Sequence, residues 1–89
     1  MVIITHIRMA GGEGHEHIAE VRWWNPNTGA MGTSTRAVMV DWILNKSGVT
    51  RVTDGVSIVD VRVVQGDPPY IRTWRDGAWT DNLLALPRF

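Results

Sequence analysis

The chain has 89 residues, no cysteine, and nine basic against nine acidic side chains for a formal net charge of zero. That length fits a single domain over residues 1–89, the lack of thiols excludes disulfides, thiolate metal sites and a cysteine nucleophile, and the neutral balance argues against duplex nucleic acid as a partner. No apolar run approaches the roughly 20 residues of a membrane span, and the opening MVIITHIRMAGG has neither the basic nor the long apolar region of a signal peptide, so the expected setting is cytoplasmic, with no membrane partner.

Val2 to Met9 is rich in β-branched residues and predicts a strand, with Ile3, Ile7 and Met9 on one face and Ile4, His6 and Arg8 on the other. Ala10-Gly11-Gly12-Glu13-Gly14 predicts a loop. Ile18 to Trp24 predicts a second strand, with Ala19, Val21 and Trp23 opposite Glu20, Arg22 and Trp24. Asn25-Pro26-Asn27-Thr28-Gly29 has turn composition. Residues 34–46 predict the one helix, capped by Thr33, Ser34 or Thr35. Its apolar stripe is Val38, Met39, Trp42 and Ile43, and Gly48 is the expected left-handed stop.

Val49 to Thr53 and Val56 to Val64 predict strands around an Asp54-Gly55 hairpin turn. In the second, Val59, Val61 and Val63 should oppose Ile58, Asp60 and Arg62. Gly66-Asp67-Pro68-Pro69 breaks the ladder, because proline cannot donate to it. Tyr70 to Trp74 predicts a strand, Asp76-Gly77 a turn, and Trp79 a short return. Leu83, Leu84, Leu86 and Phe89 form an apolar tail that should dock on the core or on a second subunit. The order β-β-α-β-β-β-β, dominated by hairpin signals, predicts an α+β fold with one helix packed on a mostly antiparallel twisted sheet.

Eight of the nine basic residues are arginine, and five residues are tryptophan. The guanidinium fork holds carboxylate or phosphate in two-point contact and stacks on rings, so this bias points to recognition rather than solubility. The polar sheet face predicts either cross-strand ion pairs or a ligand platform. At Gly32-Thr33-Ser34-Thr35-Arg36 a helix N-terminus with hydroxyls and a cation suits an anion, without the pattern of a P-loop. Ala37 leaves that terminus without a capping-box carboxylate. His15-Glu16-His17, if on a strand, would put two imidazoles on one side with His6 or Glu20 in reach. It lacks a clear fourth ligand, so no metal site is expected. No nucleophile elbow or triad is legible, so no catalytic residue is assigned.

Four segments carry a resemblance: ITHIRM (Ile4 to Met9), HEHI (His15 to Ile18), STRAVMVDWI (Ser34 to Ile43) and PPYIRTWRDGAWTDNLLALPRF (Pro68 to Phe89). Together they resemble a family of short bacterial and phage proteins catalogued only as a domain of unknown function. The resemblance implies no activity, cofactor or site residue; a phage-type origin would suit ligand sequestration.

The functional expectation is a non-enzymatic, homo-oligomeric module, without cofactor, that binds a small anionic, nucleotide-like ligand. Its expected site is Arg8, Trp24, Ser34, Thr35, Arg36, Tyr70 and Arg72. Tyr70 offers a stacking face, with Arg72 two residues on along the same strand side; the competing expectation pairs Arg72 with Asp60 across the sheet. One alternative is a protein-interaction module or homo-oligomer using the tryptophan-rich face and the tail. Another is a small enzyme built on the histidines.

Overall fold

A computed structural model describes residues 1–53 and 55–89. In chain order the elements are β1 (Val2–Met9), a 3-10 turn (His15–His17), β2 (Ile18–Trp24), β3 (Met31–Thr35), α1 (Arg36–Asn45), β4 (Thr50–Thr53), β5 (Ile58–Val64), β6 (Tyr70–Arg75) and β7 (Ala78–Thr80). The seven strands form one sheet in the order β3-β2-β1-β4-β5-β6-β7. Neighbours pair antiparallel throughout, except for the parallel pair β1–β4. This is the expected α+β class of one helix and a mostly antiparallel sheet.

The expected element order needs one correction: a third strand, β3, precedes the helix. Its sequence MGTST is short and hydroxyl-rich, so it reads as a helix start. The Asn25–Ala30 loop decides otherwise. Asn25 Oδ1 accepts from the Asn27 N–H at 2.9 Å, and the Asn25 N–H donates to the Ala30 carbonyl at 2.7 Å. That reverses the chain and lays Ser34 opposite Val21 and Thr35 opposite Glu20. The helix therefore starts at Arg36, not residue 34, with Thr35 as its cap: Thr35 Oγ1 accepts from the Val38 N–H at 3.3 Å.

Two β-bulges reset which side chains face inward. Between Ile4 and His6, β1 uses one more residue than β2, leaving Thr5 unpaired. Thr5 Oγ1 donates to the Arg22 carbonyl at 3.2 Å, which ties the extra residue to the partner strand. Between Glu20 and Ile18, β2 returns the favour and leaves Ala19 unpaired. Ile4 and Ile7 are consequently both in the core, as are Ile18 and Val21. The expected placement of Ile4 with His6 and Arg8 is thus corrected: strict alternation ends at the bulge. On β5 no bulge intervenes, and Val59 and Val61 are buried between exposed Ile58, Asp60 and Arg62, as expected.

Helix α1 contributes Met39 and Val40 as its buried residues, with Trp42 and Ile43 partly buried against the same core. Val38, expected in the apolar stripe, is 55% exposed. The left-handed residue after the helix is Ser47 (φ 52), not Gly48. Gly48 serves another need: a Cβ there would stand 2.0 Å from Trp42 Nε1, so only glycine lets this ring lie against the backbone. The Asp54-Gly55 turn signal includes Asp54, which lies outside the described residues. The Asp76-Gly77 turn forms as its sequence predicts, with both residues at positive φ (52 and 83) joining β6 to β7.

After β7 the chain folds back onto β1. Thr73, fully buried, organises this return: its hydroxyl donates to the Thr80 carbonyl at 3.0 Å and accepts from the Asn82 N–H at 3.2 Å. Leu83 then enters the core at 0% exposure, with Leu84 and Leu86 packed partly buried beside it. β4 covers the edge of β1 only at Val2 and Ile3. Further along that strand, the Ile7 N–H donates to the Pro87 carbonyl at 3.0 Å and the Phe89 N–H donates to the Ile7 carbonyl at 3.1 Å. The tail thus docks on its own domain. Leu83 is buried as expected, whereas Leu84 and Phe89 are half-buried.

Candidate functional site

The cleft between the start of α1, the 3-10 turn and the Gly66–Pro69 loop has a volume of 860 Å³. Three of the expected site residues meet there: Thr35, Arg36 and Tyr70. Pro68 and Pro69 bring the chain to Tyr70 at the start of β6. The first turn of α1 carries no acidic residue, so its unpaired amide groups leave a positive end at the cleft. One Arg36 nitrogen donates to the Glu16 carbonyl, which holds the guanidinium over the 3-10 turn and leaves its other donors for a ligand. His17, on the same turn, bonds the Ala10 carbonyl through Nδ1 at 3.2 Å, while Nε2 lies 3.6 Å from Glu16 Oε1.

Three carboxylate residues, Glu16, Asp41 and Asp67, also line the cleft. Asp41 and Asn45, one helical turn apart, both line it, and Asn45 donates to Asp41 Oδ1 at 2.7 Å. That bond, with the help of Lys46, holds the Asp41 carboxyl below its ordinary value. Asp67 lines the cleft from the Gly66–Pro69 loop, and Glu16 from the 3-10 turn. Ala10, Ala19, Ala37 and Val40 supply an apolar floor. The cleft therefore brings together one guanidinium beside the α1 amides, one aromatic ring and three carboxylates.

Arg72 sits apart from this cleft. Its Nη2 donates to Asp81 Oδ1 at 2.9 Å and its Nε to the Thr80 carbonyl at 3.2 Å. The expected Arg72–Asp60 pairing is absent: across the sheet Arg72 faces Arg62, and Asp60 is held by Arg51 at 3.1 Å. His15 Nε2 lies 3.7 Å from the same Asp81 oxygen, in a residue only 7% exposed. Burial, and then the Arg72 cation, lower the His15 pKa from its ordinary value.

Arg8 and Trp24 stand on the outer face of β1 and β2. Arg8 donates through Nε to the Phe89 carbonyl at 3.0 Å, and its guanidinium lies 4.6 Å from the Phe89 ring centre, as does that of Arg22. Trp24 is 41% exposed on the neighbouring strand. Ser34 is engaged inside, accepting from Trp23 Nε1 at 3.0 Å. The expected site is thus distributed over several places, with Thr35, Arg36 and Tyr70 the part that shares a cavity.

The histidines are separated as well. His15 and His17 lie on a 3-10 turn, not a strand, so alternate residues diverge; His15 is buried and His17 half-exposed. His6 is elsewhere, bonded through Nδ1 to Thr5 Oγ1 at 2.9 Å. Among the described residues, no group of three His, Cys, Asp or Glu side chains is placed to hold a metal ion.

Sequence reading missed Glu16, His17, Asp41, Asn45 and Asp67 as cleft residues. The i, i+4 spacing of Asp41 and Asn45 was the available signal for a shared helix face. Nothing local to Gly66–Pro69 shows that its loop comes back to the helix start.

No helix among the described residues is long and apolar enough to cross a membrane. Neither a curated protein nor a solved structure matches the chain. A family profile described as "Protein of unknown function (DUF3892)" matches residues 3–87. That covers nearly the whole described fold, from β1 to the docked tail, and the chain belongs to this family.

Proposed function

We propose that this protein is a non-enzymatic binding module for a small anionic, nucleotide-like ligand, held in the cleft at the start of α1. The observation that carries the reading is the convergence of Thr35, Arg36 and Tyr70 on one 860 Å³ cavity beside an acid-free helix N-terminus. That volume lies within the range of small-molecule sites, about 300–1,000 Å³. The anionic group sits at the α1 amides and Arg36, and the Tyr70 ring stacks the planar part. Glu16, Asp41 and Asp67, which also line the cleft, repel a second anion and accept from hydroxyl or amino groups, which favours a nucleotide over a bare polyanion. Arg8, Trp24, Ser34 and Arg72 lie outside this cavity and are not part of the proposed contact set. The same reading takes the protein as cytoplasmic, sequestering its ligand without turning it over.

The test is calorimetry and thermal shift against a panel of nucleoside phosphates, inorganic phosphate and the matching nucleosides. A nucleoside phosphate should raise the melting temperature by mass action. Arg36→Lys keeps the charge but loses the two-point fork, and should weaken binding about tenfold or more. If no phosphate-bearing ligand binds the wild type, or if Arg36→Lys binds as tightly, the reading fails.

A further inference from the structure

The two ends of the sheet differ sharply. β7 is a three-residue strand, Ala78–Thr80, and its Trp79, still 38% exposed, meets Trp74 edge-on at 4.9 Å. Shortness of this kind is a usual defence of a sheet edge. β3 is five residues long, ends the sheet on the other side, and among the described residues pairs only with β2. Met31-Gly32-Thr33-Ser34-Thr35 contains no charged residue, no proline and no bulge against β2. Its outward backbone groups therefore form an undefended template for another strand.

We propose that β3 pairs antiparallel with β3 of a second copy of this chain, with the twofold axis through Thr33. Such an isologous contact must be complementary to itself. In this register Thr33 faces Thr33, Gly32 faces Ser34 and Met31 faces Thr35, so identical strands meet without like charges. Directly opposed threonines are a favourable cross-strand pair.

The surroundings of the edge fit the same occupant. Cross-strand pairing puts Met31 beside Trp24 on the outer face, where they are 71% and 41% exposed. On the other face, Val38 is 55% exposed at the rim of a 320 Å³ pocket lined also by Met1, Trp23 and Trp42. Apolar side chains thus flank the edge on both sides. A stable interface covers about 800 Å² per partner, which is roughly 15% of the 5162 Å² surface of one copy. A five-residue ladder alone falls short of that, and these flanking groups extend it.

Sedimentation or light scattering of the full chain, up to about 1 mM protein, tests the proposal. Wild-type mass should rise to that of a dimer. Thr33→Glu and Thr33→Lys each place like charges opposite one another on the axis and should weaken association at least tenfold. Mixing the two variants should restore it, because Glu then faces Lys. Thr33 is exposed, so unchanged circular dichroism and melting of each monomeric variant confirm that folding is intact. A wild type that stays monomeric overturns the proposal and leaves the edge for a strand of another protein. So does a dimer that neither variant weakens, or a pair of variants that fails to recombine.

Discussion

Arg72 grips Asp81 through a 2.9 Å hydrogen bond between charged groups, and this pair sets the environment of the buried His15. The imidazole faces Arg72 from β6, Asp81 from beyond β7 and Glu16 from its own turn. Burial and Arg72 act against the imidazolium, and Asp81 and Glu16 only partly offset them. The folded-state pKa is therefore below the unfolded value of 6.5. In that window the unfolded chain binds more protons, so stability rises with pH. It should be fully present above about pH 6.5 and should fall as the medium is acidified past that point. Melting temperatures between about pH 5 and 8 check this. His15→Gln, which cannot titrate, should flatten the slope; an equal slope in the variant would assign the acid sensitivity to other groups.

Gly48 is predicted to be intolerant of the smallest side chain. Alanine there would meet the Trp42 ring at 2.0 Å, and the ring must leave its half-buried seat. Gly48→Ala should cost about 1–3 kcal/mol in denaturant unfolding, as overpacking does. Trp42 fluorescence should shift with it. A neutral result would show that the ring relocates freely.

Thr73→Val keeps the shape of a fully buried side chain and removes its hydroxyl. The Asn82 N–H, 3.2 Å from Thr73 Oγ1, then loses its partner, whereas the Thr80 hydroxyl keeps Asn82 Oδ1 at 2.6 Å. Leaving such groups unsatisfied costs about 1–3 kcal/mol. The measurement is the chemical unfolding midpoint, and a variant as stable as wild type would mean that water replaces the hydroxyl.

The tail predictions separate burial from pairing. Leu83→Ala should cost about 2–5 kcal/mol, as for other large-to-small core changes. Removing residues 87–89 instead takes away both backbone bonds to Ile7 and the carbonyl bonded by Arg8. The domain should remain folded, with much faster hydrogen exchange at the Ile7 amide. Unchanged exchange there would refute the docking of the tail on β1.

Much of the fold was legible because its signals are local. Val59 and Val61 alternate cleanly with their neighbours, Asp76-Gly77 announces its turn, and Met39 lies on the helical stripe. What failed was set by pairing. Thr5 and Ala19 change the inward face only because of how β1 and β2 align, and no residue type marks them in advance. MGTST became a strand because the Asn25–Ala30 loop returned it to β2, against its own weak preference. The candidate site was half legible for the same reason: Thr35 and Arg36 are adjacent in sequence. Tyr70 reaches them only through the sheet, and Arg72 is claimed by Asp81, a residue beyond the next hairpin.

The docking of Pro87–Phe89 on β1 also fixes an order of events. Arg8 and Phe89 meet across 81 positions of chain, and Ile7 has no partner on that edge until the tail arrives. Loop closure over such a span is slow, and a fold rich in distant pairings collects its stabilisation late. During synthesis β1 is thus made well before the segment that completes it. Until then its middle remains an open edge, exposed to any other strand nearby. Residues 87–89 are the ones that close it.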